Sequence, residues 1–350
     1  MSPCTSLTLI SSLSRREREG AGEESGGHPH HPPVTVQKTA WLNLELHQKV
    51  RGTEVYWTRG RWAGLIAVGL VSCLLFSCSR PPAGEQTPAA VRTIQNKGSD
   101  TMVNLALAWA EAYTAQYPEV RISVTGGGSG TGIAALINGT VDIANASREM
   151  KPEEIERARA NGVEPMEYTV AGDAIAVVVH PSNPVEALTI AQLSDIYTRK
   201  ITNWREVGGE DRPIVLLSRE SNSGTYVYFL EHVVRRGEAD NDTLFSPDTL
   251  LMPSSEGISA EIRQNPNAIG YDGLGYVTPD QKTIRVARSA DGPYVPPTIE
   301  TVKDGTYPIA RSLYMYTAGE PGGEVRAYLD WILSPEGQAI VRKLGFVPLR

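Results

Sequence analysis

The segment Arg219-Glu220-Ser221-Asn222-Ser223-Gly224-Thr225-Tyr226 sets a guanidinium four residues before a Ser-Gly-Thr step. An apolar helical pattern follows at Val227, Phe229, Leu230 and Val233. Hydroxyls and free N–H groups at a helix start converge on one point, and an arginine fork can close over it; this is the chemistry of an oxyanion seat. The run Gly126-Gly127-Gly128-Ser129-Gly130-Thr131-Gly132 repeats the pattern upstream, before Ile133, Leu136 and Ile137. Gly98-Ser99-Asp100-Thr101 repeats it again, before Val103, Leu105, Leu107 and Ala110. Three hydroxyl-rich helix starts in one chain point to a tetrahedral oxyanion held by many neutral donors.

Each of these residues also has a plainer use. Ser, Asp and Thr are preferred helix N-caps, so Ser99, Asp100 or Thr101 alone can be caps and nothing more. The glycine run lacks both the GK[ST] of a phosphate-binding loop and the G-x-G-x-x-G spacing, which argues against a nucleotide. Arg219 follows the apolar run Ile214–Leu217, and a strand end feeding a loop is a typical ligand position in open α/β sheets. Arg148 can instead pair with Glu149 or Glu153, and Met252-Pro253-Ser254-Ser255-Glu256-Gly257 can supply a donor or simply cap a helix.

The elements that must position these residues alternate. A strand near Ile94 leads into a helix over about 102–116, a strand at Val120–Val124, a helix after the glycine run, a short buried strand at Val141–Ala146 and a polar helix over 151–160. This β-α-β-α-β order implies a largely parallel sheet. Ala174–Val179 is a continuous apolar run that fits a strand buried on both faces. A second lobe holds helices around Ile190–Tyr197 and Tyr226–Val234 and strands at Ile214–Leu217 and Ala268–Tyr271, the last returning to the hinge. A strand at Ser312–Tyr316 and a helix at Glu324–Leu333 complete the first lobe. The expected division is lobe 1 at 94–172 and 280–350, with lobe 2 at 173–279. Two crossings near Gly172-Asp173 and after residue 279 suit a hinge-closing clamp.

The N-terminal part differs. Residues 1–54 have no apolar period, and the His28-Pro29-His30-His31-Pro32 tract fits disorder better than a metal site. A short apolar run, Trp62–Phe76, follows Arg59-Gly60-Arg61 and has the basic flank of a signal h-region, so 55–77 reads as a signal peptide. Its depth in the chain suggests that translation starts near Val50 or Val55. The end of the run resembles a bacterial lipobox. Cys78 is the expected lipid-bearing residue because polar Ser79-Arg80-Pro81-Pro82 follows it, whereas Leu74-Leu75-Phe76 follows the competing Cys73. Residues 78–93 read as a linker.

Composition excludes several classes. The three cysteines are Cys4, Cys73 and Cys78, so the folded part has no disulfide framework or thiolate metal site. Only His180 and His232 fall there, which argues against a histidine metal centre. Residues 1–77 hold 8 Lys and Arg and 6 Asp and Glu of the chain's 33 and 40, leaving the remainder at −9. A nucleic-acid binder needs clustered basic residues. An anion must here be held by local dipoles and a few arginines.

The ordered set of the Gly-Ser-Asp-Thr turn, GGGSGTG, VDIANASRE, DIYTRKITNW and RESNSGT resembles the phosphate-binding proteins of bacterial phosphate ABC transporters, over residues 94–350. The resemblance implies an α/β, two-lobed type II periplasmic-binding fold with an anion cleft at the lobe interface. It also implies an extracytoplasmic, membrane-anchored monomer that delivers inorganic phosphate to ABC permease subunits, without cofactor, metal or catalysis. Carried over position by position, the phosphate ligands are Ser99, Asp100, Thr101, Ser129, Gly130, Ser147, Arg148, Arg219, Ser223, Gly224 and Thr225. One position departs from the family pattern. Some members place an aspartate after the third strand to accept the proton of monohydrogen phosphate, and this chain has Arg148 there. Asp100 is the first substitute for that acceptor and Asp173 the second, while Asp142 reads as a buried strand-end residue satisfied by backbone. Competing functions are a receptor for sulfate, molybdate or arsenate, a phosphatase using Ser129 or Ser223 as nucleophile, and a surface protein that keeps only the fold.

Overall fold

The structure is a computed structural model, and it describes residues 92–349. The expected signal peptide, the linker up to residue 91 and Cys78 lie outside the described residues.

The chain begins β1 (Arg92–Gly98), α1 (Val103–Gln116), β2 (Val120–Thr125), α2 (Ser129–Ile137), β3 (Ile143–Ala146) and α3 (Pro152–Ala160). A long strand, β4 (Met166–Val179), leads to β5 (Ala187–Thr189), α4 (Ile190–Tyr197), β6 (Val215–Arg219) and α5 (Gly224–Phe229), which runs on as a π turn over Leu230–Val234. Then come β7 (Leu250–Met252), α6 (Ser255–Gln264), β8 (Ala268–Gly273), β9 (Lys282–Thr283), β10 (Arg285–Ala287) and α7 (Ile299–Lys303). The chain closes with β11 (Ala310–Thr317), α8 (Gly323–Leu333) and α9 (Pro335–Lys343).

The main sheet runs β2-β1-β3-β11-β4-β8-β6-β7. Its outer parts are parallel, as the alternation implies: β1 with β2 and β3, and β6 with β7 and β8. Its centre is antiparallel, for β11 with β3 and for β4 with both β11 and β8. The expectation of a largely parallel sheet is corrected there. The chain crosses and returns on neighbouring strands, and a crossing and its return run in opposite senses.

Strand β4 holds the two halves together. Met166 to Ala174 pair with β11, apart from a bulge at Val170, and Ile175 to Val179 pair with β8. Only its apolar second part stands out in the sequence, because Met166–Thr169 alternate between half-buried and exposed. On one side of the hand-over, Ile94, Trp109, Leu313, Tyr328 and Phe346 form a core; on the other, Leu216, Phe229, Ile269 and Tyr271 form a second. Ile284, Val286, Val295, Tyr307 and Ile309 belong to that second core. The segment 280–309, expected with the first lobe, shares this second core, with β9 pairing with β4 and β10 with β5 before the chain returns at β11.

Helix starts are set by short polar residues. Thr189 accepts from Gln192 N–H at 3.1 Å while Gln192 accepts from Thr189 N–H at 2.9 Å, a reciprocal cap at the start of α4. Ser254 caps α6, a helix that the sequence marks only by that cap.

Candidate functional site

Five buried hydroxyls meet where the two halves of the sheet face each other. Ser99 follows β1, Thr101 lies in the turn before α1, Ser129 opens α2, Ser147 follows β3 and Thr225 is in the first turn of α5. Ser99 Oγ donates to Ser147 Oγ at 2.9 Å, and Ser129 Oγ lies 3.3 Å from Ser147 Oγ and accepts from the Ser147 amide at 3.0 Å. Thr101 Oγ1 and Thr225 Oγ1 lie 2.8 Å apart, joining the halves. Ser99 makes no side-chain cap bond, so capping does not account for it. A hydroxyl can turn from a neighbour to an anion by rotation alone, because it is both donor and acceptor.

Gly224 shows how tightly this corner closes. A Cβ there would come within 2.6 Å of Ser147 Oγ and closer still to Ser129 Oγ, so only glycine lets α5 approach those hydroxyls. Gly128, at φ +91, sits against Asn222, whose carbonyl would lie 2.6 Å from an added Cβ. The Gly130 amide, expected to face the anion, donates to Asn222 O at 3.0 Å, and Asn222 Nδ2 donates to Gly127 O at 3.0 Å. Those two bonds clasp the halves together, which is why the Gly130 amide does not face the hydroxyls.

Ser223 is a cap. Its Oγ accepts from the amides of Thr225 at 3.2 Å and Tyr226 at 3.5 Å.

The arginines are arranged otherwise than their spacing suggests. Arg219 is buried, and its fork is spent on protein: Nη2 on Asp100 Oδ2 at 2.7 Å and Pro253 O at 3.0 Å, Nη1 on Ser255 Oγ at 3.1 Å, Nε on Met252 O at 3.2 Å. It does not reach the hydroxyls; it ties the turn after β1 to the end of β6. Asp100 is equally engaged, since its Oδ1 also accepts from the Gly127 amide at 2.8 Å. Arg148 makes a two-pronged pair with Glu154, both bonds 2.7 Å, rather than with Glu149 or Glu153. Helical spacing selects Glu154: its carboxylate also accepts the Lys151 amide at the start of α3. Burial pushes the Glu154 carboxyl up, but the Arg148 and Lys151 bonds outweigh it and leave it below the usual range. Arg148 Nε is buried without a hydrogen-bond partner among the described residues, and Arg148 lines a cavity of about 520 Å³ together with Lys151, Tyr228, His232, Tyr314 and Arg311, the last of which also bonds the hydroxyls.

Arg311, at the start of β11, is the arginine that reaches the hydroxyls. Its Nη2 donates to Thr225 Oγ1 at 3.0 Å and Thr101 Oγ1 at 3.3 Å, and its Nη1 to Ser147 O at 3.0 Å. Asp173 holds it by Nε at 3.1 Å and Nη2 at 2.8 Å, and also accepts the Leu274 amide at 3.0 Å. Burial raises the Asp173 carboxyl above its ordinary value, with Arg311 and that amide pulling the other way. Sequence spacing gives no sign of Arg311 beyond a lone cation at the head of an apolar strand.

The remaining acids do not face the hydroxyls. Asp142 is backbone-satisfied as expected, accepting the Gln95 amide at 2.8 Å, but it is exposed rather than buried. Asp272 is buried behind Arg219. Its Oδ1 accepts Ser255 Oγ at 2.7 Å, its Oδ2 has no partner among the described residues, and burial pushes it up to about 7 against the pull of Ser255 and Arg219. His180 bonds Ser182 and His232 bonds Tyr228 O, so neither histidine is set against Ser129 or Ser223. Among the described residues there is no group of three or more His, Cys, Asp or Glu able to hold a metal, and no helix long and apolar enough to cross a membrane.

Comparison with known proteins gives this arrangement a context. Residues 83–336 match a PBP superfamily domain. The chain is 32% identical over 299 residues to the phosphate-binding protein PstS of Pseudomonas aeruginosa, covering 81% of this chain and 91% of that protein. It is 34% identical over 267 residues to PstS of Bacillus subtilis, covering 76% and 83%. Among solved structures, a phosphate ABC transporter substrate-binding protein of Clostridium perfringens with bound phosphate superposes with a TM-score of 0.66 at 34% identity, over 74% of this chain and all of that one. A two-lobed α/β chain with this match along most of its length is no chance likeness: it belongs to the PBP superfamily and, within it, to the PstS family of phosphate-binding proteins.

Proposed function

We propose that this chain captures inorganic phosphate between its two lobes and delivers it to the permease subunits of a phosphate ABC transporter. The observation that carries the reading is the buried set of hydroxyls drawn from both lobes, with Arg311 against it, in a chain related to PstS proteins. The seat is Ser99, Thr101, Ser129, Ser147, Gly224 and Thr225 with Arg311. Arg148 stands at its mouth, and Asp100 with Arg219 clasps the lobes. Ser223 acts through its hydroxyl as a helix cap, and Gly130 through its amide as part of the clasp to Asn222. We place the lobe boundaries at the β4 hand-over after Ala174 and at the return into Ala310, where the strand pairing and the cores change.

The protein acts as an extracytoplasmic monomer, anchored through lipid on Cys78, and it turns over no substrate. Supporting the last point, neither histidine is placed to activate Ser129 or Ser223. Calorimetric titration of the purified protein with phosphate, after bound anion is stripped and again in excess sulfate, tests the reading. One-to-one binding that survives sulfate supports it. Binding abolished by sulfate moves the ligand to tetrahedral oxyanions in general, and no binding of either leaves the fold alone.

A further inference from the structure

We propose that Asp173 is a positioning residue for the phosphate seat: it holds the Arg311 fork against Thr101, Ser147 and Thr225 and, through the Leu274 amide, ties that fork to the second lobe, so that the seat is complete only when the lobes are closed. The proposal rests on the phosphate-receptor reading above.

Asp173 and Arg311 are register partners on adjacent antiparallel strands, one residue before the last pairing of β4 with β11 and its hand-over to β8. Both are buried. The Arg311 fork touches both lobes at once. Thr101 and the Ser147 carbonyl come from the first, while Thr225 and the ring of Tyr228, 5.9 Å from the guanidinium carbon, come from the second. One of its five N–H groups, on Nη1, is left over after these bonds, a donor in reserve beside the hydroxyls.

A guanidinium placed here alone would be a buried unpaired charge. Asp173 neutralises it and, by taking both Nε and Nη2, fixes the plane of the fork. The other oxygen of Asp173 is taken by an amide that follows β8, a strand of the second lobe. The backbone is pressed close at this point: a Cβ on Gly273 would lie 2.8 Å from Thr101 Cγ2 and 3.1 Å from Asp173 Oδ2. One carboxylate thus sets the arginine that meets the ligand and registers whether the second lobe has arrived.

The test is a double-mutant cycle on the full-length protein, read by phosphate titration and by the phosphate-induced change in radius of gyration. Asp173→Asn and Arg311→Gln are each expected to weaken phosphate at least 30-fold and to blunt the compaction, and the double variant to bind no worse than Arg311→Gln alone. Full additivity in the double, or Asp173→Asn within threefold of wild type with normal compaction, overturns the proposal. The double variant leaves no unpaired buried charge, so comparing it with Arg311→Gln decides the question even if Asp173→Asn does not fold. If the wild-type protein binds no phosphate, the receptor reading itself fails, which these outcomes keep separate from failure of the Asp173 role.

Discussion

Two arginine–aspartate pairs frame the site, one fully buried and one with a half-buried aspartate, and they differ in what they join. Arg219 and Asp100 are 119 residues apart, lie on opposite lobes and meet at 2.7 Å through a loop and a strand end. Arg311 and Asp173 sit on neighbouring strands at the junction of the lobes, and their contact comes from sheet register. The first pair is surrounded by backbone carbonyls and Ser255; the second is surrounded by the hydroxyls. Arg219, at a strand end beside a Ser-Gly-Thr step, is spaced like a ligand's partner but bonds Asp100, Ser255 and two carbonyls, whereas Arg311, a strand arginine with no motif around it, bonds the hydroxyls.

The comparison can be broken most sharply at Arg311. Arg311→Ala leaves Asp173 buried and unpaired, and should cost about 3–5 kcal/mol of stability in urea unfolding as well as phosphate binding. A loss under 1 kcal/mol would mean that the pair is not held as described.

Behind the other pair, Asp272 should set a pH dependence. Its carboxyl stands at about 7 in the folded chain, against about 3.8 when unfolded. The folded form therefore binds more protons in that window. Its contribution to stability is fully present below about pH 4 and is lost as pH rises to about 7, by up to about 4 kcal/mol. Asp272→Asn should remove that loss, so its advantage over wild type in thermal melting grows from pH 4 to pH 7 and then levels. A parallel pair of pH curves would sink this assignment.

Arg219→Ala should weaken phosphate by about 2–3 kcal/mol, through loss of the clasp and of a charge-assisted bond. Arg219→Lys should recover little, because an ammonium cannot replace a fork that meets Asp100, Ser255, Met252 and Pro253 together. Full recovery by lysine would show that charge alone matters there. The smallest effect is at Ser223: Ser223→Ala should cost about 1 kcal/mol of stability as a lost cap, and should lower phosphate affinity less than Thr225→Ala. The reverse order would return Ser223 to the seat.

Four of the five hydroxyls, Ser99, Thr101, Ser129 and Thr225, stand at helix starts that glycine and an apolar period mark in the local sequence, whereas Ser147 was expected only from the family resemblance. Arg311 was not legible, because its role depends on pairing with Asp173 across 138 residues. No local pattern states which strands will be neighbours or in what register. The same limit hid the antiparallel centre of the sheet. It also hid the packing of Ile284, Val286 and Ile309, whose apolar character fits either core. For Arg148 the expected carboxylate partner was Glu149 or Glu153, and the turn of α3 brings Glu154 to it instead.

Strand β4 has a mechanical consequence. Ladder partners pass from β11 at Ala174 to β8 at Ile175 with no residue between them left outside a ladder. A joint of that kind contains no slack. Any swing of the lobes must flex a continuous ribbon like a leaf spring, storing elastic energy in the strand, so the stiffness of that ribbon would set how readily the clamp springs back once its cargo leaves.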